Sequence, residues 1–192
     1  HPVGGAVGVT SFGPLSKQSL VAVQIASAES RAMNHYYLGV EHLAIGLCKV
    51  VDADLEVVLR DAGFDPQSFR RRLRDVVRAG PDPVWGTQLL VTPRVGHVMR
   101  LAEQLAERLQ KAQVRPTHLL MAVLAEGQSL PVRVLDEPGW DRQRLEARLL
   151  EHLGGKPSQS AGGAAPTRTP CLDAFGRALT ALAREGKLRP AI

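Results

Sequence analysis

The chain has 192 residues, 44% of them apolar but only 4% aromatic, with a formal charge of +5 and two cysteines. Such a length buries a full core in one domain or two small ones, and a core this poor in rings is filled by Leu, Val, Ile and Ala, as in packed helices. The charge permits acidic partners without demanding nucleic acid, and Cys48 and Cys171, far apart and without a CxxC, exclude a disulfide scaffold and a thiolate zinc site and fit a reducing compartment.

Residues 1–14, "HPVGGAVGVTSFGP", read as a flexible N-terminal segment. They lack the cationic and apolar regions of a secretory signal, and the first residue is not Met, so residue 1 reads as a boundary inside a longer chain. No apolar run along the chain reaches membrane-spanning length before a charge interrupts it. Residues 15–78 then read as four helices. "KQSLVAVQIASAESRAM" is the first and "EHLAIGLCKV" the second, its N-cap at Gly39. Leu55, Val58, Leu59 and Ala62 line the third, which Gly63 ends with a left-handed residue. Asp65-Pro66 opens the fourth as cap and first helical residue, with Phe69, Leu73, Val76 and Val77 on its inner face.

After the loop 79–90, residues 91–153 repeat this plan. A shift of 76 aligns residues 15–74 with 91–150 without a gap, and ten of those sixty positions are identical, His42/His118, Gly63/Gly139 and Arg72/Arg148 among them. Apolar character matches as well, at Ile25/Leu101, Leu38/Val114 and Ile45/Met121. The pattern predicts an all-α fold of two pseudo-symmetric four-helix repeats with no sheet. Residues 154–168, rich in Gly, Ala, Ser and Pro, read as a flexible linker. Residues 169–192 read as a further helix with Leu172, Phe175, Leu179 and Leu182 on one face.

Glu41 and His42 stand side by side at the start of an apolar run and invite a catalytic or metal reading. Only the histidine recurs, as His118; Thr117 takes the place of the acid. An acid/base pair needs both members, and no second metal ligand follows four residues on in either copy. Both histidines therefore read as structural, each with a ring nitrogen bonded to backbone at a helix start. The arginines of "FRRRLRDVVR" (69–78) read as a solvated helix face, since no aromatics interleave them to stack bases. Trp140, aligned with Phe64, reads as core, and Trp85 as cover for the seam between the repeats.

"NHYYLGVEHLAIGL", "TPRVGHVMRLAEQLAERL" and "TPCLDAFGRALTALAREGKLRPAI" together resemble the N-terminal double-repeat domain of Clp/Hsp100 ATPases, the ClpC branch above all, and the segment leading into its first AAA+ module. The resemblance implies a non-catalytic domain that captures protein substrates and adaptor proteins for a hexameric, cytoplasmic AAA+ chaperone used in proteolysis and stress response. It implies ATP and Mg²⁺ for the full-length parent only, because no GxxxxGK[ST] motif occurs here. Pro190 and Ile192 would lie near the nucleotide in that parent. The alternative is a free-standing regulator or decoy that binds adaptors without an ATPase. An in-frame Walker A motif after Ile192 separates the two.

The ClpC branch further implies binding of phosphoarginine-bearing proteins. Ser16 then stands at the family's hydroxyl position and Glu41 at its acid in the first repeat, with Thr92 and Thr117 as the second-repeat equivalents. Thr117 cannot neutralise a guanidinium, and Val40 replaces the usual Thr before Glu41, so binding is expected at Ser16 and Glu41 sooner than at Thr92 and Thr117. The plain alternative for Ser16 and Thr92 is N-capping.

Overall fold

The computed structural model describes residues 14–50, 52–83 and 88–154. The expectations placed on residues 1–13, on Trp85, on residues 155–168 of the linker, and on the helix with Pro190 and Ile192 lie outside the described residues. Eight helices follow in chain order among the described residues: α1 (Lys17–Ala32), α2 (Val40–Lys49), α3 (Ala53–Asp61), α4 (Pro66–Val76), α5 (Pro93–Arg108), α6 (Pro116–Glu126), α7 (Leu130–Leu135) and α8 (Arg142–His152). The fold is all-α.

Local chemistry sets these boundaries. Ser16, Asp52, Asp65, Thr92 and Asp141 each accept a backbone N–H with the side chain at a helix start, satisfying one of the donors that a helix leaves free there. Left-handed residues close the helices at positions that recur with the same shift of 76. Asn34 (φ 58°) and Gln110 (φ 55°) follow α1 and α5, while Gly63 (φ 66°) and Gly139 (φ 101°) follow α3 and α7.

The centre of the molecule is α2 against α6. Both helices bury almost every side chain, as a helix apolar all round must. α2 also touches α7 and α6 touches α3; α4 meets α7 while α3 meets α8. Phe64, Phe69 and Trp140 join the two halves at one side, their ring centroids 5.1–5.5 Å apart, so the pairing of Phe64 with Trp140 in the repeat is also a contact. Inside the first half, α1 lies so close to α2 that a Cβ added at Gly46 would sit 2.2 Å from the Ala22 carbonyl oxygen. Gly46→Ala should therefore force the two backbones apart and destabilise the domain by about 3 kcal/mol, the upper range for overpacking, as read from urea denaturation. An unchanged midpoint would show that α1 and α2 can separate freely.

Two expectations need correction. The chain does form strand pairing: β1 (Tyr37–Leu38) runs parallel to β2 (Leu90–Val91), and Leu15 bridges Val114 in the same sense. These are one ladder drawn twice, since Leu15 and Val91, and Leu38 and Val114, are equivalent under the shift. The Thr92 N–H bonds Leu38 O at 3.1 Å and the Ser16 N–H bonds Val114 O at 2.9 Å. The residues ahead of the first helix of each repeat thus pair with those ahead of the second helix of the other repeat.

The arginines of α4 are not simply solvated. Arg74 makes a bidentate pair with Glu29 of α1 (Nη2 to Oε1 2.6 Å and to Oε2 2.7 Å), and Lys49 of α2 joins the same carboxylate. Burial opposes charge on Glu29, but Arg74 and then Lys49 outweigh it and hold its carboxyl below the usual range. Arg72 reaches across to Glu137 of the other half with two bonds of 2.8 and 2.9 Å.

Candidate functional site

The strand exchange regroups the residues singled out by sequence. Ser16 lies not beside Glu41 but beside Val114, three residues before Thr117; Thr92 lies beside Leu38, three residues before Glu41. Two places result, each built from both repeats: Ser16 with the start of α6, and Thr92 with the start of α2.

The first is closed. Ser16 is 5% exposed and Thr117 2%. The Ser16 hydroxyl accepts the Ser19 N–H (3.2 Å) and donates to Ser19 Oγ (3.0 Å), which itself donates to Val114 O (2.7 Å). The serine pair seals the junction, leaving no hydroxyl turned outward.

The second is open. Thr92 is half-buried and caps α5 by accepting the Val95 N–H at 3.3 Å, with Pro93 at the first helical position. Glu41 sits in the first turn of α2 with its side chain 17% exposed, where a carboxylate meets the positive end of the helix. It folds back over its own N-cap, so that a Cβ on Gly39 would fall 2.4 Å from Glu41 Oε1. A side chain at residue 39 would push the Glu41 carboxylate out of this position. Tyr37 bonds the same carboxylate through its hydroxyl; burial and then the Glu41 charge push the phenol above its ordinary range. Next to this corner stand Tyr36, Leu90 and Val91, which are among the exposed large apolar side chains. The sequence reading passed over all three, because nothing but the strand pairing brings residue 36 beside residues 90 and 91.

His42 shares the corner but is fully buried. The Gly39 N–H, which can only donate, meets His42 Nδ1 at 3.0 Å, so the proton of the neutral ring is on Nε2. That nitrogen donates to His35 Nδ1 at 2.8 Å, and His35 Nε2 donates to Arg78 O at 2.9 Å. His42 thus closes the helix start as the third residue of a capping box does, and both nitrogens are in use. Burial first, then His35, lowers its pKa to about 4. His118 does the same for the Arg115 N–H at 2.9 Å, but its Nε2 has no partner among the described residues, where Lys111 stands in the place that His35 has in the first repeat. Burial first, then Arg115, Lys111 and His152, brings its pKa to about 4 as well.

Glu41 and His42 are therefore not an acid/base pair: the imidazole lends both nitrogens to structure. Among the described residues no three His, Cys, Asp or Glu side chains gather as metal ligands would. Cys48 is partly buried against the core, and desolvation pushes its thiol up to about 12, away from nucleophilic use. What the open corner presents is a carboxylate, a hydroxyl at a helix start and an apolar surface.

Comparison with known proteins adds three findings. The model of the Clp repeat (R) N-terminal domain matches residues 15–116 and 90–187. Curated relatives include the chaperone protein ClpB of Oceanobacillus iheyensis, 26% identical over 94% of this chain and 23% of its own length, and the chloroplastic chaperone protein ClpC1 of Arabidopsis thaliana, 27% identical over 94% of this chain and 20% of its own. The chain thus spans about a fifth of these relatives. Among solved structures, the N-terminal domain of ClpD from Arabidopsis thaliana aligns with a TM-score of 0.61 at 16% identity, covering 78% of this chain and all of that one. The ClpV N-domain in complex with a VipB peptide aligns at 0.58 and 21% identity, over 76% and 90%.

Proposed function

The chain belongs to the Clp repeat N-terminal domain family, and from that premise we propose that it captures protein substrates and adaptors for a ClpC-like AAA+ unfoldase and performs no chemistry itself. In this reading ATP and Mg²⁺ are used by AAA+ modules of a longer cytoplasmic, hexameric protein. The observation that carries it is the open corner where Glu41 and Thr92 stand beside the exposed apolar side chains of Tyr36, Leu90 and Val91. The ClpV N-domain solved with a VipB peptide supports peptide capture as a use of this fold.

The same corner supports phosphoarginine as one ligand. A phosphate suits the start of α5, where Thr92 adds a hydroxyl, and the guanidinium suits Glu41. Titration of the chain with phosphoarginine, followed by NMR, should shift Thr92 and Glu41 and leave the sealed Ser16 and Thr117 unmoved. Glu41→Gln should weaken binding about tenfold, the worth of one charge-assisted pair. Shifts centred on Ser16 and Thr117 would show the ligand at the other junction and sink this assignment.

A further inference from the structure

We propose that the outer edge of β2 takes up an extended protein segment as a third strand, its backbone pairing with Val91 and one basic side chain reaching Glu41. This rests on the capture reading above and names its mode. The parallel register fixes which groups are free. Leu38 bonds toward β2, where its carbonyl accepts the Thr92 N–H, and the Leu90 N–H bonds Tyr36 O at 3.0 Å. The N–H and C=O of Val91, between Leu90 and Thr92, therefore point away from β1. They have no partner among the described residues. An unpaired edge of this kind is a template for another chain.

The other edges differ. On the far side of β1 the Ser30 hydroxyl donates to Tyr37 O. At the equivalent ladder Leu15, the counterpart of Val91, packs on the core, and Ser16 after it is buried. Around the β2 edge the surface is apolar instead: Tyr36 is 62% exposed, Leu90 65% and Val91 47%. Leu90 and Val91 face opposite sides of the strand, so successive side chains of an added segment find an apolar neighbour on either face. Just past the end of β1 the Glu41 carboxylate, folded over Gly39, supplies the negative charge that a basic side chain of such a segment would meet. The fitting occupant is thus an extended segment rich in β-branched residues and carrying one Arg or Lys.

The probe is acetyl-Thr-Val-Arg-Val-Thr-amide, titrated into the full chain by NMR with hydrogen exchange of the Val91 amide. Binding should protect that amide. Val91→Pro removes the edge N–H without touching a bond to β1, and should weaken the peptide at least fivefold. Glu41→Gln should weaken this peptide but not its Arg-to-Leu analogue. Since a proline could disturb the fold, the same peptide N-methylated at its central residues is titrated into the unaltered chain; equal binding of the N-methylated form would overturn strand addition. Binding that ignores Val91→Pro and leaves the Val91 amide unprotected would overturn it too, with capture elsewhere still standing. If neither the peptide nor carboxymethylated casein binds, both the strand addition and the capture reading fail.

Discussion

Replacing Glu29, Lys49 and Arg74 together by Leu, Ala and Leu should leave the domain as stable as before or more so, whereas Arg74→Ala alone should cost about 2 kcal/mol. The three ionic residues tie α1, α2 and α4 at one point, with the Glu29 side chain only 9% exposed. Under the shift of 76 the second repeat has Leu105, Ala125 and Leu150 at the same three positions, two of them buried. One architecture has thus been closed in two ways, by a charge cluster and by hydrocarbon. Taking carboxylate and cations out of water costs several kcal/mol, which their attraction offsets only in part, so well-packed apolar side chains are an equal or better solution. Removing Arg74 by itself leaves Glu29 buried with Lys49 alone. The cost stays below that of breaking a fully buried pair because Arg74 is 40% exposed and water screens part of its charge. Urea denaturation of the wild type, the single and the triple variant measures both effects. A triple variant less stable than Arg74→Ala would show that the charge cluster does more than fill space.

The same comparison marks what the sequence could and could not disclose. Helix starts were legible because capping is local: Asp65-Pro66 and Thr92-Pro93 need only their own next three residues to be read. The two histidines were legible as structural because one recurred without its acid. The strand exchange was not, since two-residue strands carry no alternation, and the pairing joins Leu38 to Val91 across more than fifty residues. Hence the candidate residues were grouped within repeats, when the backbone groups them between repeats. The arginines of α4 misled for a related reason. Helical periodicity tells which side faces out, but not that Glu29, 45 residues earlier, lies within reach of Arg74.

Lowering the pH from about 6.5 to about 4 should remove on the order of 6 kcal/mol of stability, about 3 from each of His42 and His118. The pKa of both lies near 4 in the folded chain against 6.5 for a free imidazole. Between those values the unfolded chain takes up protons that the folded chain refuses, so stability is complete above about pH 6.5, falls through the window, and levels off below about 4. The structural reason is the same at both sites. A proton on Nδ1 would set two donors face to face, against the Gly39 N–H for His42 and the Arg115 N–H for His118, and each helix start would lose its closure. Glu41, with Oε1 4.0 Å from His42 Nδ1, and Glu29 favour the charged ring, but burial and His35 prevail. At His118 the surrounding charges, Arg115, Lys111 and His152, all oppose protonation. Carboxyls held low, Glu29 and Glu137 among them, lose stability in the same direction as the pH falls, so a variant is needed to isolate the histidine share. His118→Leu should roughly halve the loss between pH 7 and pH 4.5 measured by urea denaturation, whatever it does to stability at pH 7. Since a domain of this size has about 5–15 kcal/mol in hand, the unaltered chain should approach unfolding near pH 4.5. A midpoint flat across that range would mean that water or an anion reaches the rings and that the helix starts are not closed as described.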